Sequence, residues 1–278
     1  MPFGLKNAPA IFSRVVVVVF KEYIHKFLEV YFDDWTVFGL IKKHIGDLRL
    51  MLEKCRQYQI SLNLKKCILC APFGILLGHI VCRQGLMVDP AKIAIIVNLL
   101  APNSVKQLRT VLGHTGYYRK FIKGYAKITA PMEKLLKKDV KFLWNEECQQ
   151  SLDTLKEKMV TTPILVFPDW HKPFNVHVDA SGITLGIVLT QPGEGGIDHP
   201  IAYSSRKLST AEKNYTTTKR EGLAMVYVLQ KFRHYLLGAP FKMFTDHSAL
   251  KYLVNKPVLG EGYADGYSYF RSMILKLL

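Results

Sequence analysis

Residues 27–39, FLEVYFDDWTVFG, restrict the fold of this chain more than any other segment. Two runs rich in aromatic and β-branched residues flank the adjacent acids Asp33 and Asp34, a pattern typical of two short strands joined by a two-residue turn. Two carboxylates about 4 Å apart repel by roughly 4 kcal/mol at an effective dielectric constant of about 20. The pair therefore needs either solvent, as in an ordinary Asp-rich turn, or a bound cation, and this spacing alone leaves both alternatives open.

The charge of the chain narrows the classes of partner. Its 278 residues include 38 basic and 22 acidic side chains, giving a formal net charge of +16. This surplus indicates a polyanion, either nucleic acid or an acidic membrane surface. The apolar run Val15–Phe20 is too short to span a bilayer or to form a signal-peptide core. Five scattered cysteines are typical of a reducing compartment. Together, the short apolar run and the cysteines lead us to expect a soluble intracellular protein of the cytoplasm or nucleus, with no membrane partner.

Hydrophobic periodicity predicts a multidomain protein of α+β and α/β character. Residues 1–88 are predicted to be a small α+β unit, with a helix capped near Asn7, the hairpin, a second helix over 47–58 and further strands. Residues 89–160 are predicted to be mostly helical, because Asp89 followed by proline begins a run of apolar residues at helical spacing.

Residues 161–278 have α/β character and contain three notable acids. Asp179 lies where a predicted strand meets a turn, and Asp246 ends the strand FKMFTD. Glu221 lies on the face of a predicted long helix, 216–237, that is turned toward the sheet. Each acid has a structural alternative as a helix cap or as a charge near a helix N-terminus. As a set within a basic chain, they indicate two metal ions holding a phosphodiester.

Seven motifs follow one another in the order, and at about the spacing, of the polyproteins of gypsy-type LTR retrotransposons: MPFGLKNAPAIF, VYFDDWTVF, LGHIV, LGHTGYYRKFI, HVDASG, SRKLSTAEKNYTTTKREGLAMVYVLQKFRHYLLG and FTDHSALKYL. The resemblance covers about residues 1–256. It implies a partial reverse transcriptase palm over 1–88, a helical thumb and connection over 89–160, and a ribonuclease H-like domain over 161–278 that is truncated or degenerate after about residue 256.

The resemblance also implies the chemistry. Family members are RNA-directed DNA polymerases, which are nucleotidyltransferases, and ribonucleases H, which are hydrolytic endonucleases. By carry-over, Asp33 and Asp34 are expected to be catalytic metal ligands of the polymerase. Asp179, Glu221 and Asp246 are expected to be catalytic metal ligands of the ribonuclease H. The expected cofactor is Mg²⁺, with Mn²⁺ as the alternative, and the expected partners are an RNA/DNA hybrid, a primed RNA or DNA template and deoxynucleoside triphosphates.

The same resemblance identifies two groups of substrate-binding residues. The opening motif is similar to the segment that lines the incoming nucleotide and template, so Phe3, Gly4 and Asn7 are candidates for nucleotide contact. The GYYRKFI motif is similar to the thumb region along the duplex, which makes Arg119 and Lys120 candidates for phosphate contact.

Several departures from the family pattern limit the expected activity. Ser13 replaces the usual Gln, and the five valines at 15–19 and Trp35 are unusual for the palm. The upstream strand with the third polymerase aspartate does not precede the opening motif, so we expect this chain alone not to polymerise. Three of four ribonuclease H acids are present, because Asp265 lies too close to Asp246 to match the fourth.

Cys67, Cys70, His79 and Cys82 resemble a zinc ligand set by residue type and partly by spacing. Cys67 and His79 also occupy positions that the family has without zinc, which favours an ordinary hairpin over a metal site.

Two alternatives to catalysis follow from the same residues. The first alternative is a non-catalytic retroelement remnant that holds nucleic acid through its positive charge. The second is a product whose incomplete palm prevents stable folding. The sequence does not indicate an oligomeric state.

Overall fold

The computed structural model describes residues 6–69 and 71–245 and the backbone of Leu275–Leu277. The chain divides into two compact units, Met1–Ala71 and Pro72–Leu278. The three-domain division with boundaries at 88 and 160 stays a prediction. No helix in the described part of the chain combines the length and hydrophobicity needed to cross a bilayer.

The described residues of the first unit, 6–69 and 71, form two helices and one hairpin. Its elements are α1 (Ala8–Val19), β1 (Leu28–Tyr31), β2 (Asp34–Val37) and α2 (Ile41–Gln57). The strands are antiparallel, with Leu28 opposite Val37 and Tyr31 opposite Asp34. The buried side chains of its core are Val16, Val19, Phe20, Phe27, Leu28, Met51 and Cys55.

The valine run of α1 is helical although β-branched residues favour strands. Val16 and Val19 are buried, while Val18 is exposed, so the run presents one face to the core at helical spacing. Packing of that face outweighs the local preference, as is usual for helices in proteins. Asn7 occupies the predicted N-cap position, but its side chain makes no capping hydrogen bond.

Helix α2 begins at Ile41, six residues before the predicted start at 47, so that predicted boundary is wrong. Ile41 is 85% exposed, whereas Asp47, Met51 and Cys55 form the buried face at intervals of four residues. The true buried face includes an aspartate and omits the early isoleucine, which explains why hydrophobic periodicity misplaced the helix start.

The second unit contains an antiparallel three-stranded sheet, a helical segment and a mixed five-stranded sheet. Its helices are α3 (Pro90–Val97), α4 (Val105–Tyr117), α5 (Tyr125–Ile128), α6 (Ala130–Lys134), α7 (Glu146–Val160), α8 (Thr210–Lys213), α9 (Thr217–Lys231) and α10 (Arg233–Leu236), with 3₁₀ turns at Arg119–Phe121 and Glu194–Gly196. Its strands are β3 (Phe73–Leu76), β4 (His79–Cys82), β5 (Gly85–Val88), β6 (Phe174–Ala180), β7 (Thr184–Pro192), β8 (Asp198–Lys207), β9 (Phe241–Phe244) and β10 (Leu275–Leu277).

The predicted helix starts in this unit are confirmed by capping contacts. The Asp89 carboxylate accepts a hydrogen bond from Ala91 N at 2.9 Å, at the start of α3. At the start of α4, Ser104 Oγ accepts from Gln107 N at 3.4 Å. The Gln107 side chain accepts from Asn103 N rather than from Ser104 N, so the predicted capping box is shifted by one residue.

The five-stranded sheet has the strand order β10-β9-β6-β7-β8. Strands β6, β7 and β8 are antiparallel, while β9 runs parallel to β6. Helix α9 covers one face, where the apolar side chains of β6 meet the helix; the buried residues of this core include Phe174, Val176, Val178, Ala224, Met225 and Val228. The predicted single helix over 216–237 is two helices, because the backbone leaves helical geometry at Phe232.

The outer strand β8 is joined to the helical segment of the same unit. Ser205 Oγ accepts a hydrogen bond from Ala126 N at 2.9 Å, and Lys207 Nζ lies 2.7 Å from Glu133 Oε2. These polar contacts border a second core that is built mainly from α4 and α7. The helical segment and the five-stranded sheet therefore stabilise one another.

The start of α8 combines a capping box with an ion pair. Ser209 and Glu212 exchange side-chain-to-backbone hydrogen bonds, and Arg206 donates to both Glu212 oxygens at 2.8 and 2.9 Å. The hydrogen bonds from Arg206 and Ser209 lower the pKa of Glu212 to about 2.

We expect Glu212→Gln to lower the free energy of unfolding by about 1 kcal/mol near neutral pH. Because folding depresses the Glu212 pKa, this stabilisation is present above the unfolded-state pKa and is lost as the pH falls toward 2. Urea unfolding of both proteins between pH 7 and pH 3 measures the difference. A difference that stays constant or grows as the pH falls would contradict this assignment.

Candidate functional site

The first acidic site is the tip of the β1–β2 hairpin. The turn residues are Phe32 and Asp33, and Asp34 is the first residue of β2. Phe32 has φ of 51°, a left-handed conformation that is uncommon outside glycine. Both carboxylates are exposed, and neither has a hydrogen-bond or ion-pair partner among the described residues. The predicted strand–turn–strand is confirmed, and it presents both acids to solvent at one end of the hairpin.

Of the three residues predicted to contact the nucleotide, the structure describes one. Phe3 and Gly4 lie outside the described residues. Asn7 is exposed, immediately before α1, and its amide makes no cap hydrogen bond. The Asn7 side chain is therefore not used in starting the helix, and its predicted nucleotide contact stays a prediction.

The second acidic site lies where β6 and β9 end, beside α9. Glu221 is 3% exposed, on the face of α9 that packs on the sheet, as predicted. Its Oε1 accepts a hydrogen bond from Ala180 N at 3.0 Å, and its Oε2 accepts from Thr245 Oγ1 at 3.2 Å. Asp179 precedes Ala180 and is exposed. One buried carboxylate thus bonds to the last residue of β6 and to the residue that follows β9.

The third predicted acid, Asp246, lies outside the described residues. The described part of β9 pairs with β6 in parallel, up to His177 opposite Phe244. Thr245, which contacts Glu221, is the residue immediately before Asp246. The structure therefore places the chain neighbours of Asp179 and Asp246 on the two oxygens of Glu221.

A polar belt crosses the sheet on the face opposite α9. The Asp198 carboxylate accepts hydrogen bonds from Asn175 Nδ2, His177 Nε2 and Thr190 Oγ1 at 2.9 to 3.0 Å. The His177 ring is stacked on Phe244, with centroids 4.7 Å apart and planes 12° apart. Burial acts to raise the Asp198 pKa, but the hydrogen bonds from these three donors outweigh it and lower the pKa.

The belt joins β8, β7, β6 and β9. Its His177 lies two residues before Asp179 on β6, and its Phe244 lies two residues before Asp246 in the sequence. Sequence analysis did not identify Asp198, because it lies in a loop-like segment rich in Gly and Pro. The alternation that sets Asn175, His177 and Asp179 on one strand face was the available signal.

Arg220 is a second residue that sequence analysis missed. Its guanidinium donates to Ser181 O at 3.2 Å and to Thr217 Oγ1 at 3.4 Å. A Cβ at Gly182 would lie 3.2 Å from the same guanidinium, so the turn after Asp179 closes tightly around Arg220. Arg220 and Glu221 together hold the backbone on the C-terminal side of Asp179.

The two predicted phosphate contacts lie in a 3₁₀ turn after α4. Arg119 is exposed, whereas Lys120 is partly buried with Nζ 5.4 Å from the centre of the Phe121 ring. Burial lowers the pKa of Lys120. Arg119 is therefore the more accessible cation, and phosphate contact by either residue stays a prediction.

The hairpin around His79 is explained by aromatic packing. The His79 ring stacks on Phe121 with centroids 5.6 Å apart, and its Nδ1 lies 2.9 Å from Leu77 O. Burial, followed by the charge of Lys120, lowers the pKa of His79. Among the described residues no group of three or more His, Cys, Asp and Glu side chains is arranged to hold a metal ion. Cys70, one member of the zinc-like set, lies outside them.

Comparison with curated proteins places these sites in a family. The chain is 39% identical over 257 residues to the retrovirus-related Pol polyprotein from transposon 297 of Drosophila melanogaster, covering 92% of this chain and 24% of that protein. It is 30% identical over 253 residues to the Tf2-3 transposon polyprotein of Schizosaccharomyces pombe, covering 90% and 19%. The chain belongs to the retrotransposon Pol polyproteins. It spans about a quarter or less of the length of these two relatives.

Two family profiles match separate stretches of this Pol segment. The profile of reverse transcriptase, described as RNA-dependent DNA polymerase, matches residues 1–116, and the profile of the RNase H-like domain found in reverse transcriptase matches residues 144–243. The sequence-based assignment to gypsy-type retrotransposon polyproteins with these two regions is confirmed.

Solved structures show the same fold for the Pol segment. The foamy viral protease-reverse transcriptase dRH in complex with double-stranded DNA matches with a TM-score of 0.85 and 23% identity, over 100% of this chain and 50% of that chain. The foamy viral protease-reverse transcriptase in complex with an RNA/DNA hybrid matches with a TM-score of 0.81 and 22% identity, over 100% and 39%. The predicted multidomain α/β fold class is confirmed.

We expect Asp34→Asn to leave the free energy of unfolding unchanged within about 0.5 kcal/mol, or to raise it. The Asp34 carboxylate has no partner among the described residues, and its removal relieves repulsion from Asp33. Urea unfolding measures the change. Leu28→Ala, at a fully buried position of the same hairpin, serves as the positive control and should cost about 2–5 kcal/mol. A loss of that size in Asp34→Asn would show that the carboxylate is structural.

Asp198→Ala should lower the free energy of unfolding by about 2–3 kcal/mol, because buried Asn175 and Thr190 lose their shared acceptor. Glu194→Ala, an exposed acid in the loop before β8, is the matched control and should change stability by less than about 0.5 kcal/mol. Equal effects of the two variants in urea unfolding would show that the belt contributes nothing to stability.

Proposed function

We propose that this Pol segment cleaves the RNA strand of an RNA/DNA hybrid, with Asp179, Glu221 and Asp246 as metal ligands. The observation that carries the proposal is the position of Glu221. Its two oxygens hold Ala180 N and Thr245 Oγ1, so the chain neighbours of the other two acids converge on one buried carboxylate. A structural role alone does not explain why a neighbouring acid, Asp179, is left exposed at this point.

The donor set suits a hard divalent cation. The ligands are carboxylate oxygens, which Mg²⁺ prefers, and Mn²⁺ accepts the same ligands. Asp179 is exposed and has no competing partner among the described residues. When bound, the metal would polarise the phosphodiester and activate water. Glu221 and Arg220 would keep the backbone that carries Asp179 in place.

We further propose that Asp33 and Asp34 are the polymerase metal ligands of the reverse transcriptase region. Both are exposed at one end of a two-strand hairpin, where a primed template and a deoxynucleoside triphosphate could approach. Adjacent carboxylates without a protein cation nearby are compensated by a divalent metal. Phe3, Gly4 and Asn7 are proposed to contact the nucleotide, and the sequence match to the reverse transcriptase profile, which includes them, supports this.

The test of the nuclease is cleavage of a labelled RNA strand in a hybrid by the purified chain, with and without Mg²⁺. Asp179→Asn should abolish cleavage, because it removes a proposed metal ligand. Hybrid binding should be kept or strengthened, because a negative charge facing the phosphates is removed. Asp139→Asn, an exposed aspartate of the same unit, is the matched charge control and should cleave as the unchanged chain does.

The outcomes separate two functions. Metal-dependent cleavage that is lost only in Asp179→Asn supports the nuclease. Binding without cleavage in all three proteins would favour a nucleic-acid-binding remnant, for which the net charge of +16 is the supporting observation. That binding should then weaken steeply with added salt.

A further inference from the structure

The short loop before β6 presents an exposed tryptophan in a fixed position. The loop over 169–172 is tied down by Gln191, which is only 4% exposed. The Gln191 amide donates to Asp169 O at 2.8 Å and to Lys172 O at 3.1 Å, and it accepts from Asp169 N at 2.9 Å. Three hydrogen bonds from one buried side chain therefore fix the loop backbone. Trp170 lies at its tip and is 57% exposed.

The Trp170 ring rests on an aromatic support. It is nearly parallel to Tyr235, with planes 18° apart and centroids 6.1 Å apart, and its edge meets Phe174 at 5.9 Å. The centroid of the His234 ring lies 4.1 Å from that of the Tyr235 ring. Phe174, a core residue that contacts Trp170, is fully buried, whereas Trp170 itself is more than half exposed. Trp170 thus has protein contacts on one side and solvent on the other.

The chain next to this ring and its support is rich in basic residues. Lys172 follows the ring in the loop, and Lys231 and Arg233 precede its Tyr235 support, all of them exposed. Exposed His171 and His234 are adjacent to the two rings in the chain. The only carboxylate of the loop, Asp169, accepts from His171 N at 3.0 Å and pairs with Lys172 at 3.8 Å. The surface therefore combines a flat aromatic ring with positive charge.

From this combination we propose that Trp170 is a stacking platform for an unpaired base of single-stranded nucleic acid. A base offers a flat aromatic face of any sequence, and its phosphates match the lysines and arginine around the ring. An apolar peptide side chain would fill the same space without using the surrounding charge. The choice of nucleic acid as the partner of Trp170 rests on the proposed function. The stacking contact itself does not require the chain to cleave RNA.

The position of the ring assigns it a role separate from the nuclease site. Trp170 contacts Phe174, the first residue of β6, and Asp179 lies five residues further along that strand. At about 3.3 Å per residue, the two ends are roughly 17 Å apart. The platform therefore lies near the opposite end of β6 from Asp179, and the Phe174 it contacts packs on the α9 face of the sheet, whereas Asp179 alternates to the other face.

The test compares affinities for a short single-stranded DNA oligonucleotide and for a blunt RNA/DNA hybrid, both measured by fluorescence anisotropy with the whole chain. Trp170→Ala should weaken single-strand binding by about five- to a hundredfold and leave blunt-hybrid binding within about twofold. Trp170→Phe should restore most of the affinity, because it keeps an aromatic face. Phe167→Ala, at a 49% exposed aromatic of the adjoining segment, is the matched control and should bind as the unchanged chain does.

A measurement on the unchanged chain does not depend on how the variants fold. Ultraviolet cross-linking to a bromodeoxyuridine-substituted single strand, followed by mass spectrometry, should label the peptide that contains Trp170 or Tyr235. Unchanged single-strand affinity in Trp170→Ala, or an equal loss in Phe167→Ala, would overturn the proposal. A third result would also overturn the proposal: Trp170→Ala abolishes self-association of the chain but leaves single-strand binding unchanged. That result would assign the surface to a second protein copy. Cleavage is not measured in either experiment, so a failed nuclease and a failed platform give different results.

Discussion

The buried Glu221 carboxylate is the interaction on which the arrangement of the second acidic site depends. A carboxylate that is 3% exposed is costly unless its oxygens are hydrogen-bonded, and here Ala180 N and Thr245 Oγ1 supply the donors. Those two donors come from the ends of adjacent parallel strands. The need to satisfy one buried charge therefore holds β6, β9 and α9 together at the point where the neighbouring Asp179 reaches solvent.

The opposite face of the five-stranded sheet carries a second carboxylate that joins strands. The Asp198 carboxylate connects three strands through Asn175, His177 and Thr190, and the His177 ring extends the connection to β9 by stacking. Strand β8 is in turn held against the helical segment by Ser205 and neighbouring polar contacts. Removing a strand-joining acid is therefore expected to lower stability, whereas removing an exposed acid such as those of the hairpin is not. Asp198 joins strands through its three donors, whereas the exposed acids Asp33, Asp34 and Asp179 have no partner among the described residues.

Family membership and activity are distinct conclusions for this Pol segment. Relatives from Drosophila and fission yeast, together with two family profiles, show which polyproteins the chain belongs to. The chain spans about a quarter or less of those relatives, so the activities of the whole polyprotein enter as proposals. The geometry around Glu221 supports the proposed nuclease chemistry, and the fixed, exposed Trp170 supports the proposed contact with single-stranded nucleic acid.

The sequence by itself determined the family, the hairpin with Asp33 and Asp34, and the helix starts at capping residues, because these features are local and depend on residues close together in the chain. It misplaced the start of α2 and missed the break at Phe232, since both depend on which side chains other elements cover. Only the tertiary structure showed that Asp198 bonds to β6 and β7 and that Arg220 bonds to Ser181, because these partners lie 8 to 39 residues away in the chain. Contacts at that separation have no periodic pattern in the sequence, and they form only when the sheet brings the strands side by side.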